Sequence, residues 1–155
     1  MAKVAPIPDN YPRVTPYLSV EGAKDAITWY CDILGATERG TMEGPDGKVG
    51  HAELEVGSSV IMLSDFYPEA SAPTPKQLSG TPVVLMVYVD DVDDVHKRAL
   101  AAGATEIAPV QDQFYGDRSG QFEDPWGHRW NIASHVEDVP PEEMEKRAAE
   151  AMAGG

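Results

Sequence analysis

Cysteine and long hydrophobic runs are nearly absent from this sequence of 155 residues. Its one cysteine, Cys31, cannot form an internal disulfide, which favours a reducing compartment. No run approaches the roughly 20 apolar residues that a membrane-spanning helix needs. The N-terminal stretch MAKVAPIPDNYP also lacks the apolar region of a signal peptide. The sequence therefore predicts a cytoplasmic protein that has no membrane as a partner.

Basic residues are also scarce. The chain has 12 lysines and arginines against 26 aspartates and glutamates, which gives a formal net charge of −14. Such a charge repels the phosphate backbone, so nucleic acid is excluded as a partner. What the chain does have is a hydrophobic fraction of 42%, which is enough for the packed interior of one domain.

Hydrophobic patterning predicts a strand, a helix and three further strands in the first half of the chain. After a proline-containing arm that has no periodicity, apolar residues alternate as in a strand and then recur at helical spacing. Cys31 falls on the apolar stripe of that helix, which favours a small buried hydrophobe over a nucleophile. The predicted elements are a strand over 14–20, a helix over 22–34, and strands over 37–43, 49–56 and 58–64.

The second half repeats this order. Val20-Glu21 and Gly35-Ala36 recur as Val89-Asp90 and Gly103-Ala104 at almost the same separation. This recurrence indicates an internal βαβββ duplication. The corresponding predictions are a strand over 83–89, a helix over 92–103, and strands over 104–112, 121–123 and 128–132.

Local chemistry adds three expectations for the second half. The strand over 83–89 is continuously apolar, which predicts burial on both of its faces. Asp90 or Asp91 is suited to cap the following helix, whose inner stripe includes His96. The turn of the last hairpin places Trp126 at its tip, where a ligand or a second subunit would have to cover it.

The predicted organisation is one α+β domain that contains two βαβββ modules. The tail begins with Pro140-Pro141 and continues as EEMEKRAAEAM, whose opposite charges four residues apart predict a short helix. In order, the regions are an irregular arm over 1–12, a first module over 13–66, a Pro-rich linker over 67–81, a second module over 82–135, and a helix with its tail over 136–155.

Candidate reactive groups lie on predicted strands and turns. His51 and Glu53 are two residues apart on one strand, so their side chains share a face. This pair is interpreted as two metal ligands, as an acid–base pair or as part of a solvated polar surface. A metal at this position would need a third donor such as His128. Asp117 is a further acid–base candidate, but an ion pair with Arg118 or a turn contact accounts for it more simply.

The motifs VTPYLSVEGAKDAITWYCDILGA in one half and EDPWGHRWNIASH in the other resemble the vicinal oxygen chelate superfamily. That superfamily includes glyoxalase I, extradiol dioxygenases, and the bleomycin and fosfomycin resistance proteins. HAELEVG, VIMLSD, FYGDRSG, DPWGHRW and HVEDVPPEEM look most like its PhnB-like glyoxalase subgroup. The resemblance covers about residues 12–145 and implies modules whose curled mixed sheets form cups, usually completed in a homodimer.

In the metalloenzymes of the superfamily, four ligands enter the cup from the first and fourth strands of each module. The resemblance places these positions at Thr15, Met62, Val84 and Asn131. None of the four is a histidine or a carboxylate, the donors that a divalent cation needs. No metal or other cofactor is therefore expected, and glyoxalase I activity through that site is not expected either.

The resemblance also implies a mostly apolar cup with a few directional polar groups. The first hypothesis is a metal-free protein that binds a small organic ligand, similar to the resistance proteins. The alternative is a glyoxalase-like lyase or isomerase with a displaced metal site at His51 and Glu53. A metal-free version of that enzyme would use the same two residues, Tyr17 or Asp117 as acid–base groups. A third possibility is an oligomeric protein with no small ligand.

Under the first hypothesis, the residues expected to contact a ligand are Thr15, Tyr17, Met62, Val84, Met86, Phe114, Tyr115, Trp126, Arg129 and Asn131.

Overall fold

The computed structural model describes residues 4–155. The first three residues of the predicted arm lie outside the described residues, and residues 4–16 contain no helix or strand. The elements follow in the order β1 (Tyr17–Val20), α1 (Ala23–Leu34), β2 (Thr37–Glu43), β3 (Val49–Val56), β4 (Ser59–Asp65), α2 (Pro75–Leu78), β5 (Val84–Tyr88), α3 (Val92–Ala101), β6 (Thr105–Asp112), β7 (Asp117–Glu123), β8 (Arg129–His135) and α4 (Pro141–Ala153).

Each half of the chain forms a four-stranded mixed sheet. The strand orders are β1-β4-β3-β2 and β5-β8-β7-β6, so the two sheets have the same topology. In each sheet the first strand pairs in parallel with the fourth, and the other pairs are antiparallel. The chain divides into two compact units, one ending at Ser79 and the other beginning at Gly80. The predicted α+β fold of two βαβββ modules with a C-terminal helix is therefore confirmed.

Helix α1 packs on β2, β3 and β4 in the first unit. Trp29 and Ile33 are buried together with the predicted apolar stripe, whereas Cys31 is only half-buried. The prediction of a buried cysteine is wrong because the stripe is centred on Tyr30 and Cys31 lies at its edge. The core that the helix covers on the sheet includes Leu18, Val20, Ala52, Leu54 and Leu63.

Asp65, at the end of β4, fixes the start of α1. Its buried carboxylate accepts hydrogen bonds from the backbone N–H groups of Gly22 at 2.9 Å and Ala23 at 3.0 Å. The other carboxylate oxygen accepts from the N–H of Val49 at 2.8 Å. A negative charge at a helix N-terminus also interacts favourably with the helix dipole. One side chain therefore joins β4, α1 and β3.

Helix α3 packs on β6, β7 and β8 in the second unit. Of the two predicted caps, Asp91 is the one that forms, because its side chain accepts a hydrogen bond from the N–H of Asp94. His96 lies at the core edge, as predicted, with Nε2 2.9 Å from Oε2 of Glu106. The surrounding core contains Val92, Val95, Ala99, Phe122, Trp130 and Ile132.

Strand β5 forms an edge of the second sheet, and one of its faces is exposed. Val84, Met86 and Tyr88 are 45%, 47% and 61% exposed. Leu85 and Val87, which point to the opposite face, are half-buried. The predicted burial on both faces is wrong within this unit, because the buried core lies against one face only.

The predicted linker contains the short helix α2. Thr74 accepts a hydrogen bond from the N–H of Gln77, and the Gln77 side chain accepts one in return from the N–H of Thr74. This reciprocal pair satisfies two N–H groups that a helix start leaves open. In α4, Glu143 and Arg147 form the predicted ion pair at 3.0 Å. No helix within residues 4–155 is both long and apolar enough to cross a membrane.

Candidate functional site

The open face of the first sheet carries three of the predicted acid–base residues. Tyr17 and Glu53 are both cross-strand partners of Met62, which places the three side chains on one face. His51 shares that face because it is two residues from Glu53 on β3. Thr15 lies outside β1, which begins only after Pro16 because proline has no N–H to donate to a neighbouring strand.

A chain of hydrogen bonds joins these side chains. The hydroxyl of Tyr17 is 2.8 Å from Nδ1 of His51, and Nε2 of His51 is 2.8 Å from Oε2 of Glu53. The hydroxyl of Tyr11 donates to Oε1 of Glu53 at 2.8 Å. A neutral His51 satisfies both of its contacts, since it accepts from the phenol at Nδ1 and donates from Nε2 to the carboxylate. Tyr11 is a member that sequence reasoning missed, because the arm has no periodic pattern that would place it.

These contacts favour the charged form of Glu53. The hydrogen bond with His51, and after it the one from Tyr11, hold the pKa of the Glu53 carboxyl below its usual value. The hydrogen bond to this carboxylate raises the pKa of Tyr11, because it holds the proton on the phenol. Arg39 adds a positive charge, with its guanidinium 4.7 Å from the centroid of the Tyr11 ring. Glu53 is therefore an anion that orients His51.

A cavity of about 390 Å³ lies beside Tyr17 in the first unit. The sheet contributes one wall, and residues 67–72 of the predicted linker contribute the other. Burial raises the pKa of the Tyr67 phenol, which therefore stays a neutral hydrogen-bonding group. The lining is rich in hydroxyl groups, from Tyr17, Ser19, Ser64, Tyr67 and Ser71, with Gly50, Ala70 and Ala72 between them.

The open face of the second sheet is more apolar. Val84 pairs with Arg129 and Met86 pairs with Asn131, so these four side chains lie side by side, as the alternation of the strands predicted. Arg129 is exposed. Among residues 4–155, the buried Oδ1 of Asn131 has no hydrogen-bond donor. An apolar surface with an arginine and an unpaired amide oxygen is suited to an organic molecule that carries polar groups.

The predicted aromatic border divides into two parts. Phe114 and Tyr115 are exposed and form an edge-to-face pair with ring centroids 5.3 Å apart. Trp126 is instead buried by the chain itself, and not by the ligand or second subunit that was expected to cover it. The cause is Asp124, whose carboxylate accepts hydrogen bonds from the N–H of Trp126 at 2.9 Å and from Nε1 of Trp130 at 2.9 Å. These bonds draw the turn inward.

Asp117 is buried at the start of β7 and lies in a second network. Its carboxylate accepts a hydrogen bond from the hydroxyl of Tyr88 at 2.8 Å, and its other oxygen is 2.8 Å from Nδ1 of His135. Among residues 4–155, Arg118 pairs with Asp93 and Asp112 rather than with Asp117. The predicted ion pair is therefore wrong, because neighbouring residues of a strand point to opposite faces. Sequence reasoning missed His135, whose partner lies on another strand.

The residues at the four inherited metal-ligand positions do not fit a divalent cation. Thr15, Met62, Val84 and Asn131 offer a hydroxyl, a thioether, an alkyl group and an amide, where zinc, nickel or iron requires imidazole, thiolate or carboxylate donors. Within residues 4–155, no group of three or more His, Cys, Asp and Glu side chains is arranged to hold a metal ion. His128, the suggested third donor for a displaced site, precedes β8 in the second unit.

Comparison with known proteins gives a consistent result. The sequence matches the Glyoxalase/Bleomycin resistance protein/Dioxygenase superfamily over residues 12–132. The uncharacterized protein Mb0911c of Mycobacterium bovis is 40% identical over 137 residues, which cover 86% of this chain and 90% of that protein. The structure of PA1353 from Pseudomonas aeruginosa has a TM-score of 0.66 at 25% identity, covering 81% of this chain and 99% of that one. The PhnB protein from Bacillus cereus shares the fold, with a TM-score of 0.63 at 18% identity over 79% of this chain and 99% of that one. This chain belongs to the glyoxalase, bleomycin resistance protein and dioxygenase superfamily.

Proposed function

We propose that this protein binds a small organic ligand, without a metal ion, on the open face of its second sheet. The observation that carries the proposal is the joint exposure of Val84, Met86 and Tyr88 beside Arg129 and Asn131. Single exposed hydrophobic residues are common on protein surfaces, but several in one patch mark a binding site. The patch is the surface that an apolar or aromatic ligand would cover.

The polar groups of this face define what the ligand carries. Met86 and Tyr88 offer a polarizable and aromatic surface on which a flat ring system stacks. Arg129 presents a fork of N–H donors, which suits a carbonyl or carboxylate group of the ligand. The buried Oδ1 of Asn131 has no donor among the described residues, so an N–H or O–H of a ligand that displaces the side chains covering it would complete it.

A thermal-shift screen tests the proposal. The compounds are flat cationic drugs, enolisable acids and the adduct of methylglyoxal with glutathione, because a ligand that binds only the folded state raises the unfolding midpoint. For a compound that binds, we expect Met86→Ala to weaken affinity about tenfold, roughly 1.4 kcal/mol. Met42→Ala is the matched control, since Met42 is an exposed methionine on β2 of the other unit. Equal losses in the two variants, or no shift with any class of compound, would contradict the proposed site.

Metal dependence is tested separately. Protein purified without a histidine tag is expected to contain no stoichiometric cation and to show no saturable binding in a Ni²⁺ or Zn²⁺ titration, because the inherited positions lack suitable donors. One tightly bound ion per chain would overturn the metal-free part of the proposal while leaving ligand binding intact. The expected homodimer stays a prediction, and light scattering on the same preparation measures it.

A second candidate function is acid–base catalysis in the first unit. The contact of His51 with both Tyr17 and Glu53 favours it, because His51 is positioned to take the proton of the Tyr17 hydroxyl while Glu53 stabilises the imidazolium. The phenolate oxygen would then remove a proton from a carbon next to a carbonyl group of the substrate. This is the proton transfer that a metal-free isomerase or lyase requires.

Exchange of carbon-bound hydrogen for deuterium tests the second candidate. Enolisable acids are incubated with the protein in D₂O and followed by proton NMR, which detects the proton transfer even without net turnover. Tyr17→Phe is expected to abolish exchange, since it removes the group that contacts the substrate. Tyr11→Phe leaves Tyr17 and His51 in place and is expected to reduce exchange only in part. Exchange by Tyr17→Phe at the wild-type rate would exclude this mechanism.

A further inference from the structure

His135, at the end of β8, lies between two carboxylates. Its Nδ1 is 2.8 Å from Oδ1 of Asp117, and its Nε2 is 2.8 Å from Oδ1 of Asp138. A neutral imidazole has a single N–H group, so one of the two contacts would bring a nitrogen lone pair against a carboxylate oxygen. Both contacts are favourable only for the imidazolium ion. The arrangement is therefore that of a protonated His135.

The two carboxylates are not equivalent. Asp117 is only 4% exposed, and the hydroxyl of Tyr88 donates a hydrogen bond to its second oxygen. The side chain of Asp138 is fully exposed. When His135 loses a proton, water can replace its contact with Asp138, whereas the Oδ1 atom of the buried Asp117 would lose the donor that His135 provides. The remaining proton therefore stays on Nδ1, against Asp117.

The backbone around Asp138 is held independently of His135. The N–H groups of Val136 and Glu137 both donate to the carbonyl oxygen of Gly116, at 2.9 and 3.0 Å. The guanidinium of Arg147 forms two hydrogen bonds with the Glu137 carboxylate, at 2.8 and 2.9 Å. Loss of the His135 proton consequently releases the Asp138 side chain, while the segment that carries it stays in place.

His135 also lines a cleft of about 390 Å³ together with Tyr88, Val89, Asp90 and Ser134. We propose that His135 is a proton-gated base in this cleft, covered at Nε2 by Asp138 when protonated and uncovered when neutral. Its ligand is a small molecule with an O–H or N–H group that donates to Nε2, while Asp117 holds the opposite side of the ring. This site shares Tyr88 with the apolar surface of the proposed function, but it recognises its ligand through the imidazole of His135 and does not need that surface to be occupied.

The surrounding charges set the pH at which the gate opens. The hydrogen bond with Asp117, and after it the one with Asp138, raise the pKa of His135 above its usual value. Asp90, on the cleft wall, adds a further exposed carboxylate, and the charge of Glu137 is offset by Arg147. The gate is therefore expected to open above the pH of about 6.5 at which an unperturbed histidine titrates.

Nitrogen-15 NMR of the histidine ring tests the gate in the whole protein. Signals are assigned by their loss in His135→Gln, and the wild-type protein is titrated from acid to alkaline pH. We expect one proton to leave with a midpoint above 6.5, and the neutral ring to carry its remaining proton on Nδ1. A neutral ring protonated on Nε2, or a midpoint at or below that of an unperturbed histidine, would overturn the proposal.

Chemical reactivity tests whether Asp138 covers Nε2. Diethyl pyrocarbonate modifies unprotonated imidazole nitrogens, and mass spectrometry of the peptide that contains His135 gives the rate at this residue. Asp138→Asn removes an exposed charge, so the fold is expected to remain intact. We expect His135 in this variant to react several-fold faster than in the wild type near neutral pH, with the pH profile of the reaction shifted to lower pH.

Asp90→Asn is the control for a general loss of negative charge. Identical profiles for wild type and Asp138→Asn would exclude the gate, as would an equal shift in Asp90→Asn.

Discussion

The two units place a histidine in similar networks but give it different partners. His51 in the first unit lies between the phenol of Tyr17 and the carboxylate of Glu53, whereas His135 in the second lies between the carboxylates of Asp117 and Asp138. A phenol both donates and accepts, so it suits a neutral imidazole, but two carboxylates can only accept. The partners of His135 therefore require its charged form, although the two units share one topology.

The choice between a hydroxyl and a carboxylate is reversed where each helix is joined to its sheet. In the second unit, the hydroxyl of Ser134 accepts a hydrogen bond from the N–H of Val92 at 3.1 Å and donates one to the carbonyl of Val89 at 2.7 Å. Asp65, in the corresponding place of the first unit, accepts three N–H groups and donates none. The duplicated fold fixes the position of the anchor, and the side chain decides how many elements it joins.

Substitution of the two anchor residues, Asp65 and Ser134, is expected to give the largest difference in stability loss between the two units. Asp65→Ala leaves three N–H groups without their acceptor and is expected to lower the free energy of unfolding by about 3 kcal/mol. Ser134→Ala removes the acceptor of the Val92 N–H at the start of α3 and is expected to cost about 1 kcal/mol. Urea denaturation followed by circular dichroism measures both. Asp46→Ala is the matched control, since within residues 4–155 Asp46 accepts a single hydrogen bond, from the N–H of Lys48 in an exposed hairpin turn. Equal losses for the two anchor variants would contradict the comparison.

The fold was largely predictable because its signals are local. The bounds of β2 and β3 agree with prediction, since polar and apolar residues alternate on both sides of a Gly-Pro-Asp-Gly turn. The exposed face of β5 was not predictable from composition, because an apolar run does not reveal whether the strand lies at an edge. The outcome for Trp126 likewise depended on a contact, the capping of its turn by Asp124.

The candidate sites were predictable only where sequence spacing fixes a shared face. His51 and Glu53 are such a pair, because residues two apart on a strand point the same way. Tyr11 comes from an irregular arm, and Asp117 meets His135 through the pairing of β7 with β8. Contacts of this kind depend on strand register and loop path, which a single sequence does not specify.

The network of the first unit should lose its stabilising effect on the acid side. Glu53 has a lowered pKa in the folded state, so its contribution to stability is present above its usual pKa and is lost as pH falls through the folded pKa. Tyr11→Phe removes one cause of that shift. The melting temperature of Tyr11→Phe is expected to lie below that of the wild type near neutral pH, by less than for Asp65→Ala. This difference in melting temperature is expected to disappear as pH falls below about 4. Tyr115→Phe, in the exposed turn of the other unit, is the control. A gap that does not change with pH would show that Tyr11 acts by packing alone.

The network of the second unit should respond in the opposite direction, with the smallest effect of the three because His135 is half-exposed. The pKa of His135 is raised in the folded state, so its contribution is fully present below the unfolded value of about 6.5 and is lost as pH rises through the folded pKa. His135→Gln is therefore expected to melt below the wild type at pH 6 and to approach it at alkaline pH. Asp138→Asn, which leaves Asp117 in place, should show part of that difference in the same pH range. If the difference in melting temperature between His135→Gln and the wild type instead widened as pH rises, the folded protein would favour the neutral ring of His135. That result would contradict the comparison of the two units.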